Sequence, residues 1–300
     1  MAAIQQSGNE RYLPVFFRIR ANERVIAVTV DDCYEVENLR CIVGAACDYG
    51  AGLTLFPIGK NLANPGMADL IRHCVFDYGF EIENHTWSHA RIFRSPEIEM
   101  AKEIWDQSQA LNRLLGVNYE QHFFRPMGGD GFNDRRIHNY LIQLGFRGIA
   151  HWLCCGSEYD MDEIKKELCP GAIYLFHTID GDPEKLLKFI PYAMSQGYRL
   201  VTLIELVGFE PNAMSAYTPR SMPMPRPYID DYRTCSMGDY SWNTYYRIQD
   251  RLRALELLDF DSTGYYGELT FTAIRRFQQL RGLPVTGVAD DETQRQLLEQ

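Results

Sequence analysis

Three features of the sequence predict a mixed α/β chain, a distorted (β/α) barrel followed by a small all-α domain of three helices. From about residue 24 to residue 208, short β-branched runs alternate with helix-patterned stretches. Several of those runs end in polar, chemistry-bearing residues. Beyond a proline-rich stretch the pattern becomes wholly helical.

The run RVIAVTVDD, residues 24–32, reads as a buried parallel strand with two carboxylates, Asp31 and Asp32, at its C-terminal end. Active sites of α/β barrels sit at that end of the strands. NLRCIVGAACDYG is then helix-like, AGLTLFPI strand-like, PGMADLIRHCVFDYG helix-like, and FEIENH a short strand that delivers His85. A helix follows from about Ser95 to Leu115, a strand around HFFRP, a helix from about Asn133 to Leu144 and a strand at RGIAHWL. DMDEIKKEL, GAIYLFH, DPEKLLKFIPYAMSQG and a last strand YRLVTLIEL complete six or seven β-α units. The expected division is a catalytic domain over 1–210, an extended proline-rich linker over 211–242 and a helical domain over 243–300.

The composition narrows the partners. A chain of 300 residues with 46% hydrophobic content can bury a large core. A formal charge of -10 with no basic cluster argues against a nucleic-acid partner. Eight cysteines, none in a C-x-x-C pair, read mostly as buried thiols. LPVFF, in the first twenty residues, is too short for a signal peptide or a membrane span, so no export signal is expected.

EIENHTWSHARI, residues 81–92, places His85 and His89 four apart, which can bring both imidazoles to one site. Thr86 and Trp87 fill the gap where the HExxH motif carries its base, so a base must come from elsewhere. The strand ends supply the remaining candidates: Asp31 and Asp32, Arg125 in FFRPMGG and His177 in YLFH. Hydrolysis of an unactivated amide needs a Lewis acid, a base, a group that orients the base and an acid for the leaving amine.

With these residues in place, the segment from about Arg24 to Gly208 resembles the polysaccharide deacetylases of carbohydrate esterase family 4, the NodB homology domain. TVDD resembles the first motif of the family, NHTWSH the second, RPMGG the third and YLFH the fifth. The resemblance implies that Asp32, His85 and His89 bind one divalent metal ion. Zinc is the first choice, and cobalt, nickel and iron also suit these ligands. It implies Asp31 as the base, Arg125 as its partner and His177 as the acid. Leu175 would line the acetyl pocket, Met127 and Gly128 would lie by the oxyanion, and Trp152 would contact substrate. Three departures stand out. Cys33 replaces the glycine after the two aspartates, Gly128 falls at or near the place of the aromatic residue common after the third motif, and the fourth motif is altered to CGSEY, leaving Glu158 to support Arg125 in place of the usual carboxylates.

The C-terminal segment resembles the peptidoglycan-binding domain 1 module at Gln249, Leu252, Gly267, Thr270, Ala273, Phe277, Gln278, Leu283, Gly287 and Thr293. Together the resemblances imply a metal-dependent hydrolase that removes N-acetyl groups from GlcNAc or MurNAc residues of peptidoglycan, acting outside the cytoplasm at the cell wall. The alternatives are a deacetylase of chitin-like oligosaccharides or another acetylated polymer, and a non-catalytic wall-binding protein. Without a visible export signal, a cytoplasmic location stays open at this stage.

Overall fold

The structure, a computed structural model, describes residues 12–225, 235–237, 242–260, 262–263 and 265–298. In chain order its first part comprises β1 (Val15–Phe16), β2 (Val25–Asp32), α1 (Val36–Tyr49), β3 (Leu53–Pro57), α2 (Pro65–Phe76), β4 (Glu81–Ile82), α3 (Glu97–Leu115), β5 (Val117–Tyr119) and β6 (Phe123–Phe124). Then follow α4 (Arg135–Leu144), β7 (Gly148–Ala150), β8 (Cys154–Cys155), α5 (Met161–Lys166), β9 (Ile173–His177), α6 (Asp182–Ser195), β10 (Arg199–Val201), α7 (Leu203–Val207) and β11 (Met214–Ala216). The last helices are α8 (Trp242–Ala254), α9 (Glu268–Arg281) and α10 (Asp291–Leu298). The chain divides into two compact units, Met1–Phe132 with Arg136–Arg226, and Asn133–Arg135 with Pro227–Gln300.

β2 organises the first unit. Its β-branched residues suit a strand covered on both faces, and everything from Ile26 to Asp32 is buried. It pairs in parallel with β3 on one side and β9 on the other, in the order β4-β3-β2-β9-β8, while β10 joins its first residues. A second parallel sheet runs β1-β7-β6. Single bridges at Asn84–Phe124 and Arg18–Ala172 link the two sheets into a distorted, incompletely closed barrel. Side chains alternate along β2. Ile26, Val28 and Val30 pack with Leu39, Ile42, Leu186 and Phe189 of α1 and α6. The alternate set, Ala27, Thr29 and Asp31, faces the other way, with Ala27 packed beside Phe56, Phe123 and Ala150.

Two expectations change. YRLVTLIEL is not one strand: only Arg199–Val201 is extended, because the Thr202 hydroxyl accepts from Glu205 N and starts the short helix α7. The proline-rich stretch, expected as an extended linker from residue 211, packs on the first unit as far as Met224, whose carbonyl accepts from Gln143. β11 pairs antiparallel with β5, Asn212 donates to Glu83 and to the Glu120 carbonyl, and Tyr140 OH donates to the Pro223 carbonyl. The remainder of the expected linker falls largely outside the described residues.

In the second unit, Ile248, Leu252, Tyr266, Ala273, Ile274, Phe277 and Leu297 form a separate core. Two buried amides tie it together. Gln249 Nε2 donates to Thr270 Oγ1 and the Tyr265 carbonyl, and Gln278 bridges Thr293, the Val288 carbonyl and the backbone N–H groups of Thr286 and Gly287. The polar positions of the module's pattern therefore satisfy its interior.

Candidate active site

Asp31, Asp32, Leu175 and His177 lie on the parallel strands β2 and β9, His85, Arg125, Met127, Gly128 and Trp152 follow shortly after β4, β6 and β7, and His89 sits further along the loop beyond His85. Asp31 and His177 are direct register partners on β2 and β9. His85 and Arg125 follow β4 and β6 one after the other, and the His85 Nδ1 lies 2.7 Å from the Arg125 carbonyl oxygen. That carbonyl can only accept, so the ring carries its proton on Nδ1 and turns a lone pair on Nε2 toward Asp32.

Asp32, His85 and His89 converge. Asp32 Oδ1 stands 3.3 Å from Nε2 of each histidine, and three ligand atoms of the set lie within 4.8 Å of one another. Asp32 Oδ1 is buried and accepts no well-formed hydrogen bond. Burial pushes the Asp32 carboxyl up, but the neighbouring His85 imidazole and the charges of His85, His89 and His177 outweigh it and hold it below the usual carboxylate value. For His85, burial works against protonation and is overcome by Asp31 and Asp32, so its pKa is raised. His89 is lowered, by burial first and then by His85. An anionic oxygen orphaned between two imidazoles fits a divalent cation, and this donor set forms a candidate metal site.

The loop carrying the histidines is strained and held. Thr86 and His89 adopt φ of 65° and 63°, a left-handed conformation unfavourable for either residue. Asn84 Oδ1 accepts from Thr86 N, Thr86 Oγ1 accepts from His89 N, and Glu103 accepts from both Ser88 N and Ser88 Oγ. Asp32 and Cys33 are also left-handed, at 64° and 54°. A glycine after the aspartates would be relaxed there; Cys33 is instead fully buried and packs in the main core.

Arg125 is fully buried, with Nη1 2.6 Å from Asp31 Oδ1 and 2.8 Å from Thr29 Oγ1. Nε and Nη2 donate to the Ala150 and His151 carbonyls, and the guanidinium lies 4.2 Å over the Phe56 ring. Glu158 was expected to support Arg125, but it is exposed and is not among these partners. Thr29 and the two carbonyls do that work, Thr29 sharing the face of Asp31 two residues earlier on β2. Arg125 occupies Asp31 Oδ1 and leaves Oδ2 on the ligand side, 3.6 Å from His85 Nε2.

His177 is partly exposed and its Nδ1 stands 2.9 Å from Asp182 Oδ2. Burial depresses its pKa, but Asp182, Asp31 and Asp32 raise it above the ordinary value. Leu175, two residues earlier on the same face of β9, is buried. Met127 is half-buried and Gly128 exposed in a short 3-10 turn after Arg125. Trp152 is half-buried and stacks on His151 with ring centroids 4.2 Å apart.

Sequence reasoning missed Thr29, Glu103 and Asp182. The alternation of β2 could have marked Thr29, and the acid five residues past His177 in HTIDGD could have marked Asp182.

Residues 18–149 match the family model described as "Polysaccharide deacetylase", and residues 244–297 match that described as "Putative peptidoglycan binding domain". Among curated proteins, the chain is 26% identical over 209 residues to a peptidoglycan-N-acetylglucosamine deacetylase of Bacillus cereus, covering 65% of this chain and 94% of that one. It is 26% identical over 197 residues to the peptidoglycan-N-acetylmuramic acid deacetylase PdaC of Bacillus subtilis, covering 65% and 41%. Among solved structures, the peptidoglycan N-acetylglucosamine deacetylase Bc1960 superposes with a TM-score of 0.59 at 23% identity, covering 67% of this chain and 96% of that one. A family 4 carbohydrate esterase pseudoenzyme from Bacillus anthracis superposes at 0.55 with 18% identity, covering 64% and 68%. Similarity at that level speaks for the fold alone.

Proposed function

We propose that this chain, which matches the polysaccharide deacetylase model over residues 18–149 and the putative peptidoglycan binding domain model over residues 244–297, is a metal-dependent hydrolase removing N-acetyl groups from GlcNAc or MurNAc residues of peptidoglycan. The observation that carries this reading is the convergence, at one end of the barrel, of a two-histidine, one-carboxylate cluster, an arginine-clamped carboxylate and a histidine backed by a buried acid.

Asp32, His85 and His89 would hold the ion, zinc by preference, with cobalt, nickel and iron also suited. A divalent cation bound there lowers the pKa of a water and polarises the amide carbonyl. Asp31, aimed by Arg125, takes the proton of the attacking water on Oδ2. His177 returns a proton to the amine nitrogen as the carbon–nitrogen bond breaks. Leu175 and Trp152 border the acetyl and sugar side, and backbone N–H groups near Met127 and Gly128 face the developing oxyanion. Residues 243–300, read as a separate domain, would keep the enzyme on its insoluble substrate by raising local concentration. Such a substrate places the working enzyme outside the cytoplasm, at the cell wall.

The test is acetate release from purified peptidoglycan with added zinc or cobalt. The reading expects release that stops with chelator and returns with metal. Release only from chitin-like oligomers would move the substrate, and none from any GlcNAc polymer would leave the wall-binding reading in its place.

A further inference from the structure

We propose that Asp182, the first residue of α6, is the positioning residue for His177, holding its ring with Nε2 toward the scissile bond and stabilising its protonated form; the inference rests on the reading of His177 as the acid.

The geometry is specific. Asp182 Oδ2 accepts twice from the same residue, at 2.9 Å from His177 N and 2.9 Å from His177 Nδ1. The carboxylate is therefore tied to both the backbone and the ring of His177, which fixes the ring's rotation as well as its tautomer. A carboxylate only accepts, so Nδ1 carries a proton and Nε2 is the position exchanged with substrate. Asp182 is fully buried, and its Oδ1 has no hydrogen-bond partner. A carboxylate held out of water strengthens its attraction for an imidazolium beside it. The raised pKa of His177 agrees with that pairing.

The surrounding chain is arranged to keep Asp182 in place. The loop between β9 and α6 turns through left-handed Asp180 and Gly181, at φ 58° and 78°. Thr178 Oγ1 accepts from the backbone N–H of Tyr34 and Glu35, and the Thr178 carbonyl accepts from Asn38, so the loop is pinned to the start of α1. One turn into α6, Lys185 donates to the Gly156 and Tyr159 carbonyls. That anchors the CGSEY segment against the same helix end. Gly156 leaves the room Asp182 needs, since a Cβ there would stand 2.8 Å from Asp182 Oδ1. The altered fourth motif thus supplies space and backbone acceptors, and the buried carboxylate comes from α6.

In the step assigned to this pair, the imidazolium gives its Nε2 proton to the amine nitrogen. The carbon–nitrogen electron pair leaves with nitrogen, and the oxygen that entered from water stays on the acetyl carbon as acetate. Asp182 keeps its charge throughout and takes no proton.

The experiment compares the parent chain with Asp182→Asn, both zinc-loaded. On a GlcNAc oligomer, Asp182→Asn should lose at least about 10-fold in kcat with KM little changed, and the alkaline limb of its pH profile should move to lower pH. On an aryl acetate, whose phenolate leaves without protonation, the loss should be much smaller. The His177 ring, followed by NMR, should give up its proton at lower pH in the variant than in the parent. Equal losses on both substrates, or an unmoved His177 titration, would overturn the proposal. The titration needs no turnover, so a shifted His177 in a chain that releases no acetate would sink the deacetylase reading and leave the pair standing. Should Asp182→Asn fail to fold, the parent decides: a slowly exchanging, downfield His177 Nδ1 proton is expected, and a ring protonated only on Nε2 would refute the pairing.

Discussion

Replacing Arg125 by methionine should destabilise the first unit severely and silence the site at once. The guanidinium is fully buried and meets Asp31, Thr29 and the Ala150 and His151 carbonyls, with Phe56 against its face. Methionine fills comparable volume and keeps contact with the ring, so the cavity contribution is small. What remains is electrostatic: Asp31, 2% exposed, loses the guanidinium clamped on its Oδ1, and two carbonyls and a hydroxyl lose their donor. Breaking a buried pair by removing one partner costs about 3–5 kcal/mol. With a urea slope of about 2–3 kcal/mol per molar, the unfolding midpoint should fall by about 1–2.5 M. Tryptophan fluorescence is a suitable probe, because Trp87, Trp105 and Trp152 belong to the first unit and only Trp242 to the second. Acetate release should drop by about two decades or more, the range for loss of an oriented general base. A midpoint within about 0.3 M of the parent, by the same slope, would mean that Asp31 is stabilised by something other than Arg125.

Other perturbations test neighbouring parts. Burial pushes Glu81 up to about 7, opposed by hydrogen bonds from Thr202, Ile204 and Thr54. A raised carboxyl favours the folded state while protonated, so its contribution is full below about pH 4.5 and is lost as pH rises through 7. Glu81→Gln should therefore be nearly neutral at pH 5 and stabilising at pH 8, by on the order of 3 kcal/mol; equal effects at both pH values in urea titrations would contradict this. Burial, then the Arg125 charge, depresses His151 to about 4, so its contribution is present above about pH 6.5 and fades as pH falls toward 4; His151→Gln should flatten that acid limb. A chain ending at residue 225 should unfold at higher urea than one ending at 208, because only the former keeps Asn212 on buried Glu83, a partner worth about 1–3 kcal/mol. That same 225-residue chain should match the full chain on soluble oligomers and sediment less with purified walls; equal sedimentation would show that residues 243–300 do not bind wall.

The strands that position the candidate site were legible because their signals are local. TVDD, NHTWSH, FFRP and YLFH each put a polar group at the end of an apolar run, and β2, β4, β6 and β9 end there. Misreadings arose where a single hydrogen bond or a distant partner decides. Thr202 caps a helix inside what reads as a continuous strand, and no local pattern reveals that β11 pairs with β5 almost a hundred residues earlier. The motif offers Glu158 as the support for Arg125, while the fold supplies Thr29 and two carbonyls from neighbouring strands. Asp182 gives no sign of its partner in the sequence, because a carboxylate at a helix N-terminus usually serves the helix itself. Here it faces back to His177.

Metal content of two variants bears most directly on the division of labour between the adjacent carboxylates. After saturation with zinc and gel filtration, the parent chain and Asp31→Asn should each retain one ion per chain, since Asp31 spends its Oδ1 on Arg125 and lies outside the ligand cluster. His89→Ala should retain far less, and Asp31→Asn should still lose acetate release by about two decades. Equal zinc in His89→Ala and the parent, or zinc lost from Asp31→Asn, would contradict the assignment of Asp32, His85 and His89 as the site that holds the ion.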